Sequence, residues 1–224
     1  MSEKMLFDEW PDRYDQWFKT PIGKLVKETE ADMIHELLDL KQGEKLLDAG
    51  CGTGIFTVDF LSQGAEVVGL DISLPMLTHA YLKLKSYPFF VVWGDMLNLP
   101  FRDDCFDKTV SVTALEFIED ANYAISELFR VSRPGGLVVV ATLNSLSPWA
   151  TRRKTRIDRG IFENALFRSP DELLACSVFK GVAKTCIFFQ QDDVPIKAMK
   201  TEQLGQSQGL NTGAFVVARW QKPS

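Results

Sequence analysis

The stretch that decides the fold is Glu44 to Gly54, E-K-L-L-D-A-G-C-G-T-G. Leu46 and Leu47 read as a short buried strand, and Gly50, Gly52 and Gly54 as a tight turn behind the acidic Asp48. Glycine reaches φ > 0 at little cost and lets a ligand approach with no Cβ in the way. Thr53 is placed to open a helix as its N-cap, which leaves free N–H groups pointing at whatever occupies the turn. A nucleotide-like ligand with hydroxyls and a carboxylate suits this position, the C-terminal end of the first strand of an α/β sheet.

Downstream, the alternation continues. A helix is expected from Thr53 to about Gln63, broken by Gly64, and a second strand, A-E-V-V-G-L, ends at Asp71. Asp71 follows Gly50 by roughly twenty positions, where a βαβ nucleotide fold places the acid that accepts from ribose hydroxyls. Ser73 is a further N-cap, with Pro75 in the first turn of its helix. The third strand, P-F-F-V-V-W, runs into Gly94-Asp95-Met96: backbone access, an acceptor, and a side chain able to lie on a flat ring. Together these suit adenine. F-D-K-T-V-S-V-T is a fourth strand, with Ala114 to Ile118 on the rim beyond it. Asp120 caps a helix to about Val131, and Arg133-Pro134-Gly135-Gly136 turns into a fifth strand, L-V-V-V-A-T-L. Five strand–helix alternations at short spacing imply a mostly parallel sheet covered on both faces.

The flanks are less regular. Trp10, Tyr14, Trp17 and Phe18 form a dense aromatic group, and Tyr14, Trp17 and Phe18 recur at helical spacing. They are either a helix packed on the sheet edge or a lid in which Tyr14 and Trp17 close over a ligand. Pro21 and Gly23 interrupt before a helix from about Lys24 to Leu40, which Gly43 ends as a C-cap. Arg152, Arg153, Lys154, Arg156 and Arg159 mark a basic stretch, either a solvated helix face or a contact for an anionic substrate. Ser169-Pro170-Asp171-Glu172 reads as a helix start, V-A-K-T-C-I-F-F-Q as a sixth strand, residues 190–212 as a long loop and A-F-V-V-A-R-W as a seventh strand.

A length of 224 residues suits a single α/β domain: a helical lid at 1–40, a core at 44–143, and the substrate side with the last strands at 144–224. Hydrophobic residues make up 46% and charged residues 25%, ordinary for a globular chain. The net charge of -5 disfavours a broad nucleic-acid or anionic-membrane surface. No run approaches the roughly 20 apolar residues of a membrane span, and the first residues hold no apolar signal core, so a cytoplasmic location is expected. Cys51, Cys105, Cys176 and Cys186 form no C-x-x-C pair and read as free structural thiols, with no metal site expected.

Five segments carry a resemblance: L-L-D-A-G-C-G-T-G at 46–54, V-V-G-L-D-I-S at 67–73, G-D-M-L-N-L-P-F at 94–101, F-D-K-T-V-S-V-T-A-L-E at 106–116 and L-F-R-V-S-R-P-G-G at 128–136. In order and spacing the chain resembles the class I S-adenosylmethionine-dependent methyltransferases, in the branch holding ubiquinone/menaquinone biosynthesis and many small-molecule enzymes. The resemblance implies a Rossmann-like seven-stranded sheet of order 3-2-1-4-5-7-6, with strand seven antiparallel. It implies S-adenosyl-L-methionine as cofactor and a small-molecule methyl acceptor. Asp48, Gly50 and Gly52 would lie along the methionine moiety, Asp71 on the ribose, Asp95 and Met96 on the adenine, and Thr113 to Phe117 along the transfer pocket. Tyr14, Cys51, Gly54, Ile72, Met76 and Gly94 complete the expected cofactor-binding set.

Many relatives carry His where this chain has Phe117, which removes a ready base. Glu116 is then the nearest titratable group and the candidate catalytic residue, orienting a substrate hydroxyl or accepting its proton; otherwise it contacts the cofactor or a neighbouring backbone group. His35 and His79 fall in expected helices, in surface or packing roles. The chemistry asks for alignment and exclusion of water, since proximity alone contributes roughly 7–11 kcal/mol in well-oriented systems. Tyr14, Trp17, Phe117 and Trp149 are aromatic candidates near a sulfonium. The rivals are a nicotinamide-dependent oxidoreductase, which G-x-G-x-G in place of G-x-G-x-x-G disfavours, a non-catalytic cofactor-binding protein, and an RNA or protein methyltransferase.

Overall fold

A computed structural model of the chain describes residues 7, 15–155 and 162–224. Its strands are β1 (Lys45–Ala49), β2 (Glu66–Asp71), β3 (Phe89–Trp93), β4 (Phe106–Val112), β5 (Ser132–Leu143), β6 (Gly181–Cys186) and β7 (Phe215–Gln221). They form one sheet in the order β3-β2-β1-β4-β5-β7-β6. The pairs from β3 through β5 are parallel, whereas β7 runs antiparallel to both β5 and β6. This is the order and the sense that the resemblance implied.

Alternation along the strands divides the core. Leu46, Val139 and Ala141 face one apolar cluster, while Leu47, Val138 and Val140 face the other. Leu46 and Leu47 are both fully buried, each stabilising by about 1.5–3 kcal/mol through removal of apolar surface from water. The first face is covered by α1 (Pro21–Leu38), α2 (Thr57–Ser62), α3 (Leu74–Leu84), α5 (Pro148–Thr155) and α7 (Pro195–Ser207). The second is covered by α4 (Ala121–Val131) and α6 (Pro170–Leu174). The order reverses between β1 and β4, and their C-terminal ends diverge to leave a hollow, as doubly wound sheets do.

Several expected boundaries move. Helix α1 begins at Pro21, because Thr20 caps it by accepting from the Gly23 N–H at 3.0 Å and proline fits the first turn. It ends on Asp39 in the left-handed region, not on Gly43. Thr53 does not cap the next helix: α2 starts only at Thr57, and the Thr53 hydroxyl donates to Asp15 at 2.6 Å. Strand β5 reaches back to Ser132, so Arg133 to Gly136 lie within it, beside an irregularity between Phe106 and Lys108.

Residues 190–212, expected as loop, contain α7. Its buried face is Ala198, Glu202 and Gly205, while Ile196, Met199 and Leu204 are exposed. No apolar stripe marks it in the sequence. Glu202 instead accepts from the Phe188 N–H at 2.8 Å. Trp10, Tyr14, Arg156, Arg159 and the Lys154 side chain lie outside the described residues. Among the described residues, no helix is long and apolar enough to cross a membrane.

Candidate active site

The hollow at the strand reversal is a cavity of about 300 Å³. Each element before it delivers one part. From β1 comes Asp48, buried, its Oδ2 accepting from the Thr57 hydroxyl at 2.6 Å. Burial pushes its carboxyl up to about 7, the Thr57 hydroxyl pulls it down, and the nearby Asp71 pushes it further up. The glycine turn follows. Gly50 has φ +79°, and a Cβ built there would stand 2.4 Å from the Ala114 Cβ, so the turn and the β4 rim touch through its bare backbone.

The turn's amides are engaged within the protein. Gly50 and Cys51 donate to the Leu70 carbonyl at 2.7 and 3.0 Å, and Gly54 to the Cys51 carbonyl at 2.9 Å. Gly52 donates to Asp71 Oδ2 at 2.8 Å. The expectation of free N–H groups in this turn is therefore corrected for these four residues. Asp71 also accepts from the Ser73 N–H at 2.9 Å, which fixes its carboxylate between the turn and α3. At the end of β3, Gly94 opens the wall, exposed Asp95 accepts from the Leu97 N–H at 2.9 Å, and buried Met96 meets the Ser111 hydroxyl through sulfur at 3.9 Å.

Of the expected cofactor-binding residues, the structure brings Asp48, Gly50, Cys51, Gly52, Asp71, Ile72, Met76, Gly94, Asp95, Met96, Thr113 and Phe117 together around this cavity. Gly54 stands outside it: its missing Cβ makes room for Leu84 and Ala80 of α3. Tyr14 lies outside the described residues. Glu116 lines neither this cavity nor the one beside it. It is fully buried, its Oε1 accepts from the Leu143 N–H at 2.8 Å, and burial raises its carboxyl. As placed, its carboxylate bonds the Leu143 backbone amide, the neighbouring-backbone contact that was the alternative to a catalytic role.

A second cavity of about 350 Å³ adjoins the first. Phe7, Thr113 and Phe117 border both. Its walls are aromatic, with Trp17, Phe18, Trp149, Phe162 and Phe167 added to Phe7 and Phe117. The Phe7 and Phe117 rings pack edge to face at 4.7 Å, and the Arg153 guanidinium covers Phe162 at 4.0 Å. The Trp149 indole donates to the Phe189 carbonyl at 2.7 Å, so its ring is fixed. Thr113 is held at φ 48°, a rare conformation for threonine, at the junction.

Three features were not anticipated. Glu30 of α1 lines the aromatic cavity. The signal was present: Val26, Glu30 and Ile34 recur at spacing four on the buried face of one helix. Phe7 precedes any recognisable pattern. Asp15 binds Thr53, meets Lys83 at 2.5 Å and His79 at 3.5 Å, and so clasps the segment carrying Trp17 to the glycine turn and α3. Of the basic stretch, Arg152 pairs with Asp192 at 3.2 Å on the surface, and Arg153 alone of the described side chains lines the cavity.

A nucleoside-sized, acid-rimmed hollow at the reversal of a doubly wound sheet defines a Rossmann-like class of protein. Residues 47–140 match the family model described as "Methyltransferase domain". A malonyl-[acyl-carrier protein] O-methyltransferase of Pectobacterium atrosepticum is 36% identical over 118 residues, 53% of this chain and 46% of that protein. A demethylmenaquinone methyltransferase of Streptomyces avermitilis is 36% identical over 121 residues, 54% of this chain and 51% of that one. The alignments thus span about half the length of these curated relatives. The fold is shared with a crystal structure of a SAM-dependent methyltransferase from Thermotoga maritima, described as a possible histamine N-methyltransferase, at TM-score 0.77 and 23% identity over 97% of this chain and 98% of that one. Over residues 47–140 the chain is thus similar to a methyltransferase domain, and its fold is shared with a methyltransferase of known structure.

Proposed function

We propose that the protein transfers a methyl group from S-adenosylmethionine to a small-molecule acceptor by in-line displacement. The observation that carries this reading is an acid-rimmed, nucleoside-sized hollow sharing Thr113 and Phe117 with an aromatic cavity. The hollow fits the cofactor. Asp48, Asp71 and Asp95 offer acceptors to hydroxyls and to positive charge, and Gly52, with nothing within 4 Å of where a Cβ would stand, leaves room beside them. A pyrophosphate would meet carboxylates and amides already bonded, which weighs against a nicotinamide dinucleotide.

In this assignment Asp71 holds the ribose hydroxyls, Asp95 and Met96 the adenine, and Asp48 with Gly50 and Gly52 the methionine part. The bound cofactor supplies a methyl carbon already activated on a sulfonium. The chain's own work is alignment and dryness. Thr113 and Phe117 separate the two cavities and set the line of approach, and the aromatic walls keep water out. The segment clasped by Asp15 covers the junction as a lid, and residues 1–40, 44–143 and 144–224 act as parts of one domain.

Calorimetric titration with S-adenosylhomocysteine and with NAD tests the assignment. One equivalent of S-adenosylhomocysteine should bind, Asp71→Ala and Asp95→Ala should each weaken it, and NAD should not bind. Binding of NAD alone would overturn the reading.

A further inference from the structure

We propose that Glu30 is the proton-accepting residue of the aromatic cavity, and that this cavity takes an aryl compound bearing a weakly acidic hydroxyl. The inference rests on the methyl-transfer reading and names the acceptor class for that site.

Geometry carries it. Glu30 is 5% exposed, lines the cavity, and accepts no hydrogen bond among the described residues. A buried carboxyl without a partner is expensive to maintain unless a ligand completes it. The cavity's other polar side chains are largely committed. Asn144 donates to the Asn211 and Gly213 carbonyls, and the Ser147 hydroxyl donates to the Asn144 carbonyl while accepting from Ala150 N–H. The remaining wall is mostly apolar, with seven aromatic side chains, which fits a flat apolar ligand.

The charges around Glu30 select the acceptor. Glu116, from the turn after β4, pushes its carboxyl up; Lys27 on the same helix pulls it down but is itself paired with Asp59. Cys186 of β6 is also within its field, and among the described residues Arg153 of α5 is the other charged one lining the cavity. Burial first, then Glu116, pushes Glu30 up to about 8. An aliphatic alcohol is far too weak an acid for such a base, whereas a phenolic hydroxyl, near 10, is within about two units. For the aryl hydroxyl, the O–H bond breaks, its proton passes to a Glu30 carboxylate oxygen, and the electron pair stays on the acceptor oxygen as the nucleophile. With the cofactor bound, that oxygen would bond the methyl carbon as the carbon–sulfur bond breaks, the electron pair leaving on sulfur as a neutral thioether; no oxidation level changes, and the proton on Glu30 leaves to solvent on turnover.

The test compares 2-naphthol, naphthalene and 1-(aminomethyl)naphthalene by calorimetry and fluorescence, on wild type, Glu30→Gln and Glu30→Asp, each free and loaded with S-adenosylhomocysteine. Wild type should prefer 2-naphthol to naphthalene by about tenfold or more, the equivalent of one charge-assisted hydrogen bond. Above pH 8, with Glu30 ionised, bound 2-naphthol should show naphtholate emission. Glu30→Gln should abolish both the preference and the emission while keeping S-adenosylhomocysteine affinity, and Glu30→Asp should recover part of each. Equal binding of 2-naphthol and naphthalene, no binding of any aryl probe, an unchanged Glu30→Gln variant, or preference for the amine would each overturn the proposal. Failure of wild type to bind S-adenosylhomocysteine would sink the methyl-transfer reading instead, because the comparisons on free protein still judge Glu30.

Discussion

Glu30, Asp48 and Glu116 are carboxyls that burial pushes upward, Glu30 to about 8 and Asp48 to about 7. A carboxyl raised in the fold keeps its proton where the unfolded chain has lost it. Its contribution is therefore complete below the unfolded value, 4.5 for Glu30, and is lost as pH rises through about 8. The melting temperature of the free protein should fall between those values, and Glu30→Gln, which cannot ionise, should melt above wild type at the upper one. Parallel curves for the two proteins across that window would remove the claim. Asp71 is held differently, its carboxylate oxygens accepting from the Gly52 and Ser73 amides. Hydrogen bonds to charged groups contribute about 1.5–3 kcal/mol, so Asp71→Asn should weaken S-adenosylhomocysteine binding by roughly tenfold or more; unchanged affinity in a calorimeter would refute this. Asp71 was legible because strand, acid and spacing coincide. Glu30 was passed over because a glutamate inside a helix reads as solvated unless its neighbours at spacing four are weighed.

Among the elements, the β-strands were legible where apolar runs met glycine or acidic punctuation. Helix α7 was not, because a face of alanine, glycine and one hydrogen-bonded glutamate carries no hydrophobic period. That face gives a prediction. Ala in place of a helical Gly ordinarily stabilises by about 1 kcal/mol. At Gly205, however, a Cβ would fall 2.2 Å from the Phe188 ring. The clash should win, and Gly205→Ala should destabilise by about 1–3 kcal/mol in urea unfolding without altering S-adenosylhomocysteine affinity; a stabilised variant would show that the ring yields. Gly50→Ala meets both a positive φ and the Ala114 methyl. Loss of cofactor binding is expected, and Ala114→Gly should restore it only in part, because the second change relieves the contact and leaves the backbone strained. Full recovery in the double variant would assign the whole effect to the contact.

Across the whole molecule, the topology was readable from five alternations and the matching motif order, whereas the acceptor cavity was not. It is assembled from Trp17 and Glu30 at one end of the chain, Arg153 and Phe162 in the irregular middle, and Ile187 and Ala214 beside the last strands. No local pattern records such a convergence. The antiparallel seam has a further bearing. Among the described residues, strand β6 pairs only with β7, and β5 meets β6 only through it. A chain stopped at Thr212 should lack a cooperative unfolding transition, and retention of one would contradict the central place given to β7. During synthesis on the ribosome, β6 emerges before its neighbour in the finished sheet exists, and the apolar flank of β5 stays open until residues 215–221 have been translated. The nascent protein must therefore pass through a stage with an unfinished, adhesive border, and that interval is when a chaperone would find it.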